Sequence, residues 1–192
     1  MIANKLTASR GSVLGAESLK NPETRKTLAL LGAFCLFLST IEFMIPKPLP
    51  FMRIGIANLP LMLALDIFPF PAFLALVGIK ILGQAIITGT LFSYIFLFSL
   101  VGTSLAAVSM YILRRLLGPR RVTFIGVSTA GAMISNVSQM TLAWLFLFGN
   151  SARFITPPFL LAGLLTGITL GVFCEVFTRH SKWYSQRARK VW

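Results

Sequence analysis

Long apolar runs broken by proline, glycine and clusters of basic residues leave this chain very few architectures. A helix of about 20 apolar residues spans the hydrocarbon core of a bilayer. Backbone in lipid must satisfy its own hydrogen bonds, so only helices or closed barrels cross. The runs at 27–45, 71–89, 92–113, 122–148 and 159–177 are continuous rather than alternating, and each predicts a membrane helix. A sixth run, 55–68, is too short to cross upright and carries Pro60 in its first turns. It reads either as a short tilted span or as a half-helix of the kind that lines cavities in transporters.

Composition agrees. Of 192 residues, 56% are hydrophobic and 12% charged, which is not the surface chemistry of a soluble domain. The expected fold is an all-α integral membrane protein, a compact bundle of six transmembrane helices over 27–178, with basic tails at 1–26 and 179–192. Asn21, Pro22 and Glu23 have the pattern of a helix cap, a first-turn proline and a first-turn acid, so the first helix either begins there or follows an unstructured tail ending at Lys26. Residues 1–26 hold no apolar core of the signal-peptide type, so that tail is expected to stay in the cytoplasm.

The formal charge of +13 would suit nucleic acid in a soluble chain, but here the basic residues flank the apolar runs and no nucleic-acid partner is expected. With six crossings, the two tails and the 114–121 connection carry 14 of the 18 Lys and Arg on one side. Lys47, Arg53 and Arg153 fall on the other, and Lys80 lies inside a run. Positive charge concentrates on the cytoplasmic side, which puts both termini there. The chemistry of an independent enzyme is missing. Asp66 is the single aspartate, His180 the single histidine, and no phosphate-binding loop or metal-spaced His and Cys set occurs, so no metal or cofactor is expected. Cys35 and Cys174 sit inside apolar runs and imply no disulfide.

Lys80 is the sharpest functional signal, because a lysine at the bilayer centre costs about 2.5–3.5 kcal/mol on insertion scales. Gln84 and Thr88 follow at helical spacing on the same face. The topology brings Glu42, Arg53, Asn58, Asn136, Gln139 and Trp144 to the same outer half, a set suited to a small solute with an anionic group. The plainer alternatives are a Glu42–Lys80 ion pair, interhelical hydrogen bonds for Asn136 and Gln139, and an interfacial anchor for Trp144. Gly163, Gly167 and Gly171 form a stripe that admits a close backbone, and Gly126, Ala130, Gly131, Ala132 and Ser135 give the preceding helix a small side. An intramolecular seam is the favoured reading of both. Glu175 is expected to pair with Arg179.

The run Glu42-Phe43-Met44-Ile45-Pro46, followed by Pro50-Phe51-Met52-Arg53-Ile54-Gly55-Ile56-Ala57-Asn58-Leu59-Pro60, resembles the signature of the Gx transporter family, often labelled heptaprenyl diphosphate synthase component I. The stretches Lys80-Ile81-Leu82-Gly83-Gln84, Gly89-Thr90-Leu91-Phe92-Ser93 and Phe98-Ser99-Leu100-Val101-Gly102 are similar to the same family, with Arg53 where lysine is expected. The resemblance implies kinship with the S components of energy-coupling-factor transporters. Those are six-helix membrane subunits that bind vitamins or related solutes and associate with a transmembrane coupling protein and two ATPases. It also implies that Ala29 and Ala33 face such a coupling protein, and that the chain resides in a bacterial cytoplasmic membrane among its lipids. Two rivals remain. One is a non-catalytic membrane subunit serving isoprenoid, quinone or flavin-linked electron transfer; the other is an accessory component of a prenyl diphosphate synthase.

Overall fold

The computed structural model describes residues 21–46, 54–118 and 121–188. Seven α-helices and no strand occur among them: α1 (Pro22–Met44), α2 (Leu59–Ala64), α3 (Phe70–Ile87), α4 (Tyr94–Leu117), α5 (Phe124–Ala143), α6 (Ala152–His180) and α7 (Lys182–Ala188). Five are long and apolar enough to cross a membrane, namely α1, α3, α4, α5 with its extension to Phe148, and α6. The expected six spans thus become five long helices and one short segment. That segment is a 3₁₀ turn over Ile56–Asn58 followed by six α-helical residues. All six are buried, so its free backbone groups are sheltered by protein rather than lipid.

Local chemistry sets the ends of the helices. Asn21 caps α1, its Oδ1 accepting from the Glu23 N–H at 3.0 Å, and Pro22 occupies the first position where its missing N–H costs nothing. The helix therefore begins before the apolar run, the first of the two readings. Thr123 caps α5 through Gly126 N–H, and Gly118 ends α4 at φ +72°. The last long helix starts at Ala152, earlier than the apolar run suggested, with Pro157 and Pro158 inside its second turn. A π-helical turn over Trp144–Phe148 closes α5.

Three seams hold the bundle, the third between α4 and α5, where Gly131 meets Met110 and Gly102 meets Gln139. In the first, α1 lies on α3, with Gly32 under Ile79 and Gly83 under Leu36. The second, between α5 and α6, is the most extensive helix contact. Here the glycine stripe is an intramolecular seam. A Cβ on Gly171 would sit 2.5 Å from Ile125 Cα, one on Gly167 would sit 3.0 Å from Ala132 Cβ, and one on Gly163 would collide with the Asn136 amide. Small residues let these backbones approach, which supplies the packing energy lipid does not. The short segment runs from the Glu42 end of α1 back to Pro69, beside Thr27 near the start of α1. Both described chain ends therefore meet at one end of the bundle, where Asn21 and Arg187 line the same groove.

Candidate functional site

Glu42 organises the site. It is buried in the last turns of α1, and its carboxylate is held by backbone amides of the segment after the proline-rich connection. Ile54 N–H donates to Oε1 at 2.9 Å, Gly55 N–H to Oε1 at 3.2 Å, and Ala57 N–H to Oε2 at 3.1 Å. Gly55 makes the turn possible with φ +88°, a left-handed conformation that a side chain strains. Hydrogen bonds to an ionised acceptor are about twice as strong as neutral ones, so one carboxylate fixes the path of 54–57. That path delivers Asn58 to Lys80, whose Nζ donates to Asn58 Oδ1. Lys80 is 2% exposed. The short segment thus supplies a side-chain oxygen to Lys80 and three backbone amides to Glu42.

Glu42, Asn58, Lys80 and Asn136 line one cavity, with Thr103, Ser128, Ser135 and Thr166 adding hydroxyls from α4, α5 and α6. Its open centre is about 30 Å³, while the void including crevices and mouth is about 570 Å³. The first figure decides what fits as it stands, because a water molecule needs roughly 10–15 Å³ by that measure. About two waters fit. The lining offers one ammonium, one carboxylate, two carboxamides and four hydroxyls over an apolar remainder, groups able to hydrogen-bond a small polar molecule.

The other expected residues fall elsewhere. Gln139 is fully buried beside the cavity, its Nε2 donating to Ser135 Oγ at 2.8 Å against Gly102, and its Oε1 has no partner among the described residues. Gln84 is buried one turn beyond Lys80 and does not line the cavity. Asn136 also donates to Phe159 carbonyl oxygen at 3.3 Å, so it lines the cavity and ties α5 to α6 together. Trp144 is half-exposed and does not line the cavity. Arg53, and Lys47 with it, lies outside the described residues. Ala29 and Ala33 are exposed on an α1 face that also carries Leu30, Phe34 and Phe37. Among the described residues no group of three or more His, Cys, Asp or Glu could hold a metal.

A second polar cluster at the opposite end had no sequence signal. Arg114 forms a bidentate pair with Asp66, Nε to Oδ1 at 2.9 Å and Nη2 to Oδ2 at 2.6 Å. Tyr184 donates its hydroxyl to the same Oδ2 at 2.6 Å. The Arg114 guanidinium also covers the Phe124 ring at 4.3 Å and donates to Val122 carbonyl oxygen. Burial first, and then the Asp66 carboxylate, hold the Tyr184 hydroxyl far above its ordinary value near 10. Glu175 pairs with Arg179 at 3.1 Å as expected, and it also caps the start of α5 by accepting from Phe124 N–H at 3.0 Å. These bonds join the foot of the short segment to α4, α5 and α7.

Five long apolar helices enclosing a small polar cavity fit a multi-pass membrane protein. The chain belongs to the heptaprenyl diphosphate synthase component I family, whose pattern it matches over residues 31–177. That range includes every residue named above on the cavity wall and excludes Ala29 and Tyr184. No curated protein and no solved structure matches the chain.

Proposed function

We propose that this protein is a solute-binding membrane subunit of an energy-coupled transporter, resembling an S component and taking up a small, vitamin-like or anionic molecule across a bacterial cytoplasmic membrane. The observation that carries the reading is the buried Lys80 ammonium on the wall of a polar cavity, positioned by Asn58. An intramembrane cation is retained where it serves a ligand or a path. A solute carboxylate or phosphate would take its place beside Lys80, and the amide and hydroxyl groups would fix the remainder. Solute pockets usually measure about 300–1,000 Å³. Entry would therefore need the cavity of about 30 Å³ to widen, and in this reading the present form is the closed one. The chain itself is not an enzyme in this reading.

Transport would need a partner, because no nucleotide-binding motif is present. The exposed Ala29 and Ala33 on α1 offer a close-approach face for a transmembrane coupling protein. Copurification of a membrane coupling protein with its ATPases, lost in Ala29→Leu and Ala33→Leu, is the expected result. The family name supports a second reading, an accessory component of a prenyl diphosphate synthase. Stoichiometric capture of a soluble synthase, with no ATPase and no effect of the alanine substitutions, would select it instead.

A further inference from the structure

A groove of about 700 Å³ opens at the end of the bundle where the described chain ends meet. Its walls are the first turns of α1, the 67–69 turn, Arg115 at the end of α4, and Gln186 and Arg187 of α7. Two guanidinium groups, from residues 72 apart in sequence, converge on it, and the Glu23 carboxylate on its wall is ion-paired with Lys26 at 3.3 Å. Arg115 is oriented by Tyr111, its Nε donating to the hydroxyl at 3.2 Å, and Arg187 lies over the Trp183 ring at 4.5 Å. Pro69, which lines the groove, is also the N-cap of α3, and no side chain caps that 18-residue helix. The positive end of its dipole thus adds to the two arginines. Ile67, Phe68 and Pro69 give the groove an apolar floor.

We infer that this groove seats the phosphate of an anionic phospholipid. Charge complementarity selects an anion, and the surroundings select a lipid over a free one. Leu116 and Leu117, directly after Arg115, are exposed, and so is Leu30 on the neighbouring helix. Side chains of that kind beside arginine and tryptophan belong at the level where acyl chains meet headgroups. A phospholipid there would lay its phosphate between Arg115 and Arg187 and its chains along these leucines. Basic pockets between membrane helices commonly hold such headgroups. The inference does not depend on what the central cavity binds.

The test uses the full chain, delipidated in a neutral detergent and titrated with dioleoylphosphatidylglycerol or dioleoylphosphatidylcholine, read by native mass spectrometry and thermal unfolding. The glycerol lipid is expected to form a one-to-one adduct and raise the unfolding temperature, and the choline lipid to do neither. Each of Arg115→Gln and Arg187→Gln should weaken the adduct about fivefold, and the pair about 25-fold, from the typical worth of one basic residue at a charged membrane surface. Arg187→Gln removes an arginine near the end of a short surface helix, so it keeps the test intact if Arg115→Gln misfolds. Arg121→Gln, at the same end but outside the groove, should leave binding unchanged. Equal binding of both lipids, equal binding by the variants, or the same stabilisation by inorganic phosphate alone would overturn the inference.

Discussion

Replacing Glu42 with glutamine probes how one carboxylate builds the site. Its retained oxygen can still accept from Ile54 and Gly55, but the new NH₂ group meets the buried Ala57 N–H donor to donor. Losing a bond to an ionised acceptor costs about 1.5–3 kcal/mol, and weakening the other two to neutral strength adds about 1 kcal/mol each. Relief of the buried charge offsets part of this, leaving a net loss of about 2–3 kcal/mol. For a chain of this size that lowers the unfolding temperature by about 5–10 °C. Thermal unfolding in detergent measures it, with exposed Glu23→Gln as a control expected within about 0.5 kcal/mol of wild type. Hydrogen exchange gives a second reading, since the Ala57 amide should lose protection selectively. If Glu42→Gln unfolds like the control and the Ala57 amide stays protected, the carboxylate does not hold the turn and the reasoning fails.

Other outcomes follow from the packing and the second cluster. Asp66→Asn disrupts a buried bidentate pair and should cost about 3–5 kcal/mol, against about 1–2 kcal/mol for Tyr184→Phe, both read by thermal unfolding. The raised Tyr184 hydroxyl binds its proton more tightly folded than unfolded. Stability is therefore full below pH 10 and falls as pH rises beyond it, and Tyr184→Phe should flatten that fall between pH 9.5 and roughly 11. Gly171→Ala presses a methyl group on the Ile125 backbone and should destabilise by about 1–3 kcal/mol. Gly78→Ala, with open space around it, should be neutral or stabilise by up to about 1 kcal/mol in the same assay.

What the sequence disclosed reflects how local each signal is. Apolar runs and the four-residue glycine spacing are periodic features, so the long helices and the seam along Gly163, Gly167 and Gly171 were readable. Lys80 was readable for the same reason, as a charge out of place in an apolar run. The amides around Glu42 were not, because the peptide N–H groups of Ile54, Gly55 and Ala57 leave no mark in a sequence. The short second helix was ambiguous because a fully buried segment need not span lipid to be apolar throughout. Arg114 looked like one basic flank residue among many, and its partner Asp66 and the Tyr184 hydroxyl that shares that carboxylate lie 48 and 70 residues away from it. Gln84 shares the helical spacing of Lys80, but helix spacing does not fix where a cavity ends.

Native mass spectrometry of the gently extracted protein, wild type against Lys80→Met, addresses the central cavity most directly. The methionine keeps the length and apolar stem of the side chain and removes the ammonium that Asn58 positions. The wild type should retain one small anionic or polar molecule, and Lys80→Met should lose it by at least about tenfold in occupancy while still carrying its lipids and unfolding cooperatively. The same ligand held equally by both proteins would contradict the assignment of this cavity as the solute site.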